Sequence, residues 1–238
     1  MRYISFSETG LVRPQNEDFV WCDSPKGLFM VADGMGGHQS GDIAARLAIG
    51  AIRETFQGGI EPDALETIRR GIENANARIY SMAAQREPLM GMGTTVSLVI
   101  LEPGRFHYGH VGDSRIYLVE PGKVRQISRD HTMVEELVLA GTISADEARY
   151  HPRKNVLVRA LGTEEQINID LGTEPLSEDD IVLLTTDGVH AHFSLEEFAA
   201  IFQETDIENA AETILKQVFF MGAADNLSLI AIQPGAQR

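Results

Sequence analysis

Aspartates recur where an apolar run stops. Leu28-Phe29-Met30-Val31-Ala32 ends in Asp33-Gly34, and Ile181-Val182-Leu183-Leu184-Thr185-Thr186 ends in Asp187-Gly188. Residues 106–111 run into Gly112-Asp113-Ser114, Asp225-Asn226 leads into 227–232, and Asp18 follows Asn16-Glu17 at the mouth of another short apolar run. A lone carboxylate at the end of a buried strand is strongly unfavourable unless something neutralises it. Too few basic residues stand nearby to pair them all. Hard divalent cations solve the problem, because they take oxygen ligands at about 2.0–2.6 Å from several carboxylates and a carbonyl. A glycine after the aspartate lets a main-chain carbonyl turn toward such an ion without a Cβ in the way. Any one Asp-Gly is more often a turn than a ligand. Their recurrence, together with Arg13-Pro14-Gln15-Asn16-Glu17-Asp18, argues for a shared cation site.

The elements that must position these carboxylates read as short strands and longer helices. Strand-like runs lie at 3–7, 28–32, 95–101, 106–111, 116–119, 181–186 and 227–232. Runs 28–32 and 181–184 are apolar at every position, which suits strands covered on both faces. Leu65, Ile68, Ile72, Ala75, Ile79 and Met82 step by three and four, as do Ile207, Ala211, Ile214, Val218 and Met221. A third helix starts from Ser40 as N-cap and continues through Ile43, Leu47, Ala51 and Ile52. Pro103-Gly104 and Pro121-Gly122 punctuate 95–127 into hairpins, so the pattern predicts a layered α+β fold and not a βαβ series. Residues 131–160, with short helices at 133–140 and 145–149, read as a flap. Glu178-Asp179-Asp180 reads as a solvated turn, and Cys22 as a half-buried strand residue.

Composition narrows the function. The chain has 238 residues, enough for a substantial core in one domain spanning 1–238. Asp+Glu 35 against Lys+Arg 20 gives a net charge of −15, which disfavours nucleic acid and anionic lipid surfaces as partners. A single cysteine excludes a disulfide framework and a cysteine-based zinc site. No apolar run is long enough to span a bilayer, and no signal-like start is present, so a cytoplasmic protein without membrane insertion is expected.

The motifs resemble the metal-dependent PPM family of protein serine/threonine phosphatases, the PP2C-like enzymes, in their compact bacterial form. The matching residues are Arg13–Asp18 in the motif above, Val31-Ala32-Asp33-Gly34-Met35-Gly36-Gly37-His38, Gly93-Thr94-Thr95 and Gly109-His110-Val111-Gly112-Asp113-Ser114-Arg115. Asp130-His131-Thr132, the Val-x-Arg-Ala-Leu-Gly ending at Gly162, Thr186-Asp187-Gly188 and Asp225-Asn226 follow in the family's order. The resemblance implies a four-layer αββα sandwich of two mainly antiparallel sheets flanked by helices. It also implies two Mn²⁺ or Mg²⁺ ions, bridged by Asp33, with the Gly34 carbonyl on the first and Asp187 and Asp225 on the second. By the same resemblance Glu17 and Asp18 act through metal-bound waters, Asp113 helps hold a weaker third ion, and Arg13 grips the substrate phosphate. His38 becomes a substrate-side proton donor, since Met35 stands directly after Asp33-Gly34, where some eukaryotic members carry a histidine. The alternative for His38 is an imidazole packed near the helix that starts at Ser40. The implied partners are phosphoserine and phosphothreonine proteins, including a serine/threonine kinase or its substrates, and the implied state is a monomer.

The residue types suit that chemistry in their own right. Two metals polarise a bridging water and neutralise charge during in-line displacement at phosphorus. Phosphoryl transfer is mostly positioning and electrostatics, so no covalent nucleophile is needed. A cysteine phosphatase fails, because Leu28 stands where the loop after Cys22 would need an arginine. No Gly-x-x-x-x-Gly-Lys-Ser/Thr and no Gly-x-Ser-x-Gly occurs. His190 and His192 have the spacing of a metal pair, but follow a glycine in an expected loop and read as exposed or substrate-facing. The alternative from another class is a phosphatase-fold module that binds phosphoproteins without turnover. Such a module would be expected to lose metal aspartates, and Asp33, Asp113, Asp187 and Asp225 are all kept.

Overall fold

The computed structural model describes residues 1–36, 40–59 and 63–235. His38 lies outside the described residues. In chain order the strands are β1 Arg2–Glu8, β2 Asp18–Asp23, β3 Leu28–Met35, β4 Gly93–Thr94, β5 Val96–Glu102, β6 Arg105–Val111, β7 Arg115–Glu120, β8 Lys123–Gln126, β9 Asp170–Pro175, β10 Ile181–Thr185 and β11 Leu227–Gln233. The helices are α1 Ser40–Thr55, α2 Ala64–Gln85, α3 Met133–Leu139, α4 Ala145–Tyr150, α5 Asp187–His190, α6 Leu195–Glu204 and α7 Ile207–Phe220. One antiparallel sheet has the order β1-β11-β10-β7-β8, and the other the order β2-β3-β5-β6-β9, with β4 beside β3.

Side-chain alternation along the central strands sorts the molecule into layers. Phe29 and Val31 of β3 meet Val99, Leu118, Val182, Leu184 and Ile230 between the two sheets. Leu28, Met30 and Ala32 of the same strand point the other way, against Ala45, Ile49, Ile52, Ile68 and Ile72 of α1 and α2. On the outer face of the sheet that contains β10 and β11, Leu183, Leu229 and Ala231 pack with Phe198 of α6 and Ile214 and Val218 of α7. The result is the αββα sandwich of two antiparallel sheets. Ile72 and Ile79 of α2 are fully buried, and each such side chain is worth about 1.5–3 kcal/mol of transfer free energy.

Several local features depart from the sequence pattern. β8 and β9 lie at sheet edges, where one-sided pairing tolerates polar strands, and β9 can end in Pro175. α6 has little apolar length, but Ser194 and Glu197 form a capping box at its start. Ser40 is itself helical, the first described residue of α1, and not an N-cap ahead of it; its hydroxyl donates to the Gly36 carbonyl at 2.9 Å. Asp180 is buried and not solvated, because its Oδ2 accepts the Ser177 N–H at 2.7 Å. His190 is neither exposed nor substrate-facing: it ends α5, buried, with Nδ1 and Thr185 Oγ1 2.9 Å apart.

Residues 131–160 carry α3 and α4, and their two ends are joined by backbone hydrogen bonds. Met133 N–H donates to the Val156 carbonyl at 2.8 Å, and Val158 N–H to the His131 carbonyl at 2.9 Å. Among the described residues no helix is long and apolar enough to cross a membrane.

Candidate active site

The sheet ends converge on one cavity of about 810 Å³. Asp33 enters from β3, one residue beyond the covered run, and its backbone is clamped. Its N–H donates to Thr95 Oγ1 at 2.9 Å, and its carbonyl accepts from Thr94 Oγ1 and Thr95 N–H, both at 2.9 Å. Gly34 follows, with N–H donating to the Glu17 carbonyl at 3.1 Å. A Cβ on Gly34 would collide with the Gly41 and Glu17 carbonyl oxygens, so only glycine lets the start of α1 close on this strand.

Asp187 starts α5 directly after β10, and Asp225-Asn226 precedes β11. Asn226 ties the opposite wall together. Its Oδ1 accepts the Glu17 N–H at 2.8 Å, and its Nδ2 donates to the Thr9 and Gln15 carbonyls, each at 2.9 Å. That single amide holds the loop from which Arg13 and Glu17 reach the cavity. Asn226 was quoted in the sequence motif without a role, and a buried amide following a site aspartate is the signal that could have found it.

Arg13, Glu17, Asp33, Gly34, Asp113, Asp187 and Asp225 all line the cavity, together with Asn155 and Leu157 from the segment 131–160. Asp18 does not. It is the register partner of Asp33 across the β2–β3 pair and is buried behind it. Its Oδ2 accepts from Thr186 Oγ1 and Ser228 Oγ, both at 2.7 Å, whereas Oδ1 is buried without a partner among the described residues. Neither His190 nor His192 lines the cavity. Arg13 Nη2 donates to Asp225 Oδ2 at 2.7 Å, a pairing that sequence reasoning missed.

The electrostatics are those of crowded acids. Burial, reinforced by the charges of Asp18, Asp187, Asp113 and Asp225, pushes the Asp33 carboxyl well above its ordinary value. Burial likewise raises Asp18, against the opposing hydrogen bonds from Ser228 and Thr186, and raises Asp187 together with the charge of Asp225. Asp113 is pushed up to about 7 by burial and then by the charges of Asp187 and Asp130.

Among the described residues that line the cavity, Arg13 is the lone basic one, against Glu17, Asp33, Asp113, Asp187 and Asp225. Among the described residues no three His, Cys, Asp or Glu side chains are gathered tightly enough, as placed, to hold one ion. The donor set still fits hard divalent cations: it is all oxygen, it faces one cavity, Arg13 offsets only the charge of Asp225 among the described residues lining it, and a buried carboxylate oxygen behind it has no partner among the described residues.

Comparison with known proteins places the chain among relatives. A family profile described as "Protein phosphatase 2C" matches residues 13–219. The chain is 32% identical over 236 residues to "Serine/threonine phosphatase stp" of Listeria welshimeri, covering 95% of this chain and 93% of that one. It superposes on the crystal structure of the Mycobacterium tuberculosis serine/threonine phosphatase PstP/Ppp with a TM-score of 0.92 at 31% identity, covering 99% of each chain. A second PstP structure, of the catalytic domain in complex with two manganese ions, gives a TM-score of 0.87 at 30% identity, covering 97% of this chain and 96% of that one.

Proposed function

Because this chain belongs to the protein phosphatase 2C family, we propose that it hydrolyses phosphoserine and phosphothreonine in phosphoproteins with the help of two divalent cations. The observation that carries the proposal is the ring of carboxylates around one cavity with a single arginine at its wall. The cations are Mn²⁺ or Mg²⁺, as the manganese-bound PstP structure suggests for its relative here. Asp33 and the Gly34 carbonyl would hold the first, with Asp33 shared by the second and Asp187 and Asp225 completing it. Asp113 would serve a weaker third site, and Glu17 and Asp18 would act through water. When bound, the ions supply Lewis acidity that activates water near neutral pH and offsets charge on the phosphoryl oxygens.

The chain's own residues do the rest. Asn226 fixes the Arg13 loop, so the guanidinium stands at the cavity wall before substrate arrives. A phosphate entering there competes with Asp225 for Arg13 and gains a charge-assisted hydrogen bond in return. Asn155 and Leu157 bring the flap to the same cavity, so the peptide around the phosphorylated residue passes beside it. His38 donates a proton to the leaving serine or threonine oxygen. The substrates are those of a serine/threonine kinase, or the kinase itself, and the protein works as a monomer in the cytoplasm.

Phosphate release from a phosphothreonine peptide, followed at steady state in wild type and Arg13→Ala, tests this reading. Wild type turns over many times, where a binding module would capture peptide and release no phosphate. Arg13→Ala raises KM about 10- to 100-fold, the worth of a hydrogen bond to a charged group. Mn²⁺ binding survives in the variant, since Asp225 is freed from its ion pair. Loss of Mn²⁺ binding measured by calorimetry would contradict the role given to Arg13.

A further inference from the structure

Asp113 sits on a loop gripped by buried side chains that the chemistry above does not use. Gly112, at φ +108, takes a path open to glycine, and a Cβ there would also strike the Thr95 side chain. His131 holds Gly112 at both backbone groups. The Gly112 N–H donates to His131 Nδ1 at 3.0 Å, and the Gly112 carbonyl accepts the His131 N–H at 2.7 Å. With Nδ1 an acceptor, the neutral ring carries its proton on Nε2. That nitrogen lies 3.2 Å from Asp170 Oδ2, to which it donates. Arg159 Nη1 donates to the other oxygen of Asp170 at 3.0 Å, so the carboxylate is fixed from two sides; the 2.9 Å between Nη1 and Nε2 is then a contact of two N–H donors that share this carboxylate and not a hydrogen bond.

This bracket is anchored in the sheet. Asp170 opens β9 and is the register partner of His110 on β6, whose fully buried ring lies against that of His131 with centroids 4.8 Å apart. Ser97 Oγ, 2.9 Å from His110 Nδ1, also donates to the Ser114 carbonyl at 2.9 Å. Asp113 is therefore held from its two neighbours, Gly112 by His131 and Ser114 by Ser97.

We propose that His131 is a positioning residue: through Gly112 it sets where the Asp113 carboxylate stands, and so tunes the affinity of the weak ion site that Asp113 serves. The proposal rests on reading Asp113 as an ion ligand. His131→Asn and His131→Gln separate the two ring nitrogens, because Asn places an acceptor near Nδ1 and Gln places its amide near Nε2. Both lose ring packing and melt lower by a similar amount.

The experiment titrates Mn²⁺ into the full chain by calorimetry for wild type, Asp113→Asn and both His131 variants, and follows Gly112 amide exchange by NMR. Asp113→Asn removes the weakest binding event. His131→Gln weakens that event about 10-fold, within the range of a lost buried hydrogen bond, and speeds exchange at Gly112. His131→Asn stays near wild type in both. Equal losses of affinity in the Asn and Gln variants would make His131 merely structural and overturn the proposal. A wild-type isotherm in Asp113→Asn would remove the ion assignment itself, and the proposal with it. That failure is identified by the Asp113 variant alone. Wild type carries its own check, because a protonated Nδ1 of His131 in the imidazole ¹⁵N spectrum would also overturn the proposal, whatever the variants do.

Discussion

Asp33→Asn lowers turnover of a phosphothreonine peptide by about 10²–10³-fold or more at saturating Mn²⁺, the order lost when preorganised charge is withdrawn from a transition state. Asp33 is buried among Asp18, Asp113, Asp187 and Asp225, so its charge is the one most entangled with the others. Asparagine keeps the shape and the backbone clamp from Thr94 and Thr95 but cannot neutralise a cation. In chelator-treated protein the same substitution acts in the opposite sense, because it relieves repulsion and raises the melting temperature by a few degrees.

The pH dependence follows from the direction of the shifts. These carboxyls have folded values above the unfolded value of about 3.9, so the folded state binds more protons between the two. Their contribution to stability is fully present below about pH 4 and lost as pH rises through the folded values, about 7 for Asp113. Metal-free wild type therefore loses stability from pH 5 to pH 8, and Asp33→Asn loses less. Near-wild-type turnover in Asp33→Asn would end the dinuclear reading.

His38→Ala slows hydrolysis of a phosphothreonine peptide by about 10²–10⁴-fold, the range for loss of a general acid. The departing serine or threonine oxygen is a far stronger base than a nitrophenolate and needs the proton more in the transition state. A nitrophenyl phosphate ester is accordingly slowed much less. Met35→Ala, which alters a residue lining the cavity, has no such dependence on leaving group. Equal losses on both substrates, accompanied by a lower melting temperature, would make His38 a packing residue near Ser40 and remove it from the catalytic set.

The central strands announced themselves because burial on both faces forces continuous apolar sequence, as in 28–32 and 181–184. The aspartates were conspicuous for the same reason, since a charge stands out at the end of such a run. Edge strands β8 and β9 carry no comparable signal, because one-sided pairing makes weak demands on side chains. Pairings between distant residues were also hidden. Nothing in local spacing tells that Arg13 meets Asp225, that Asp18 lies opposite Asp33 and behind the cavity, or that His131 grips Gly112. Such contacts depend on register and on where loops return, which only the assembled sheets determine. His190 misled because the glycine before it suggested an exposed loop, whereas the short helix that starts at Asp187 turns it inward.

The most direct test of cation-dependent phosphate hydrolysis is phosphate release from a phosphothreonine peptide by chelator-treated protein, before and after addition of Mn²⁺ or Mg²⁺. The carboxylate ring predicts no release above background without metal and many turnovers per chain once either ion is restored. Sustained hydrolysis in the presence of excess chelator, with protein shown to be metal-free, would contradict it.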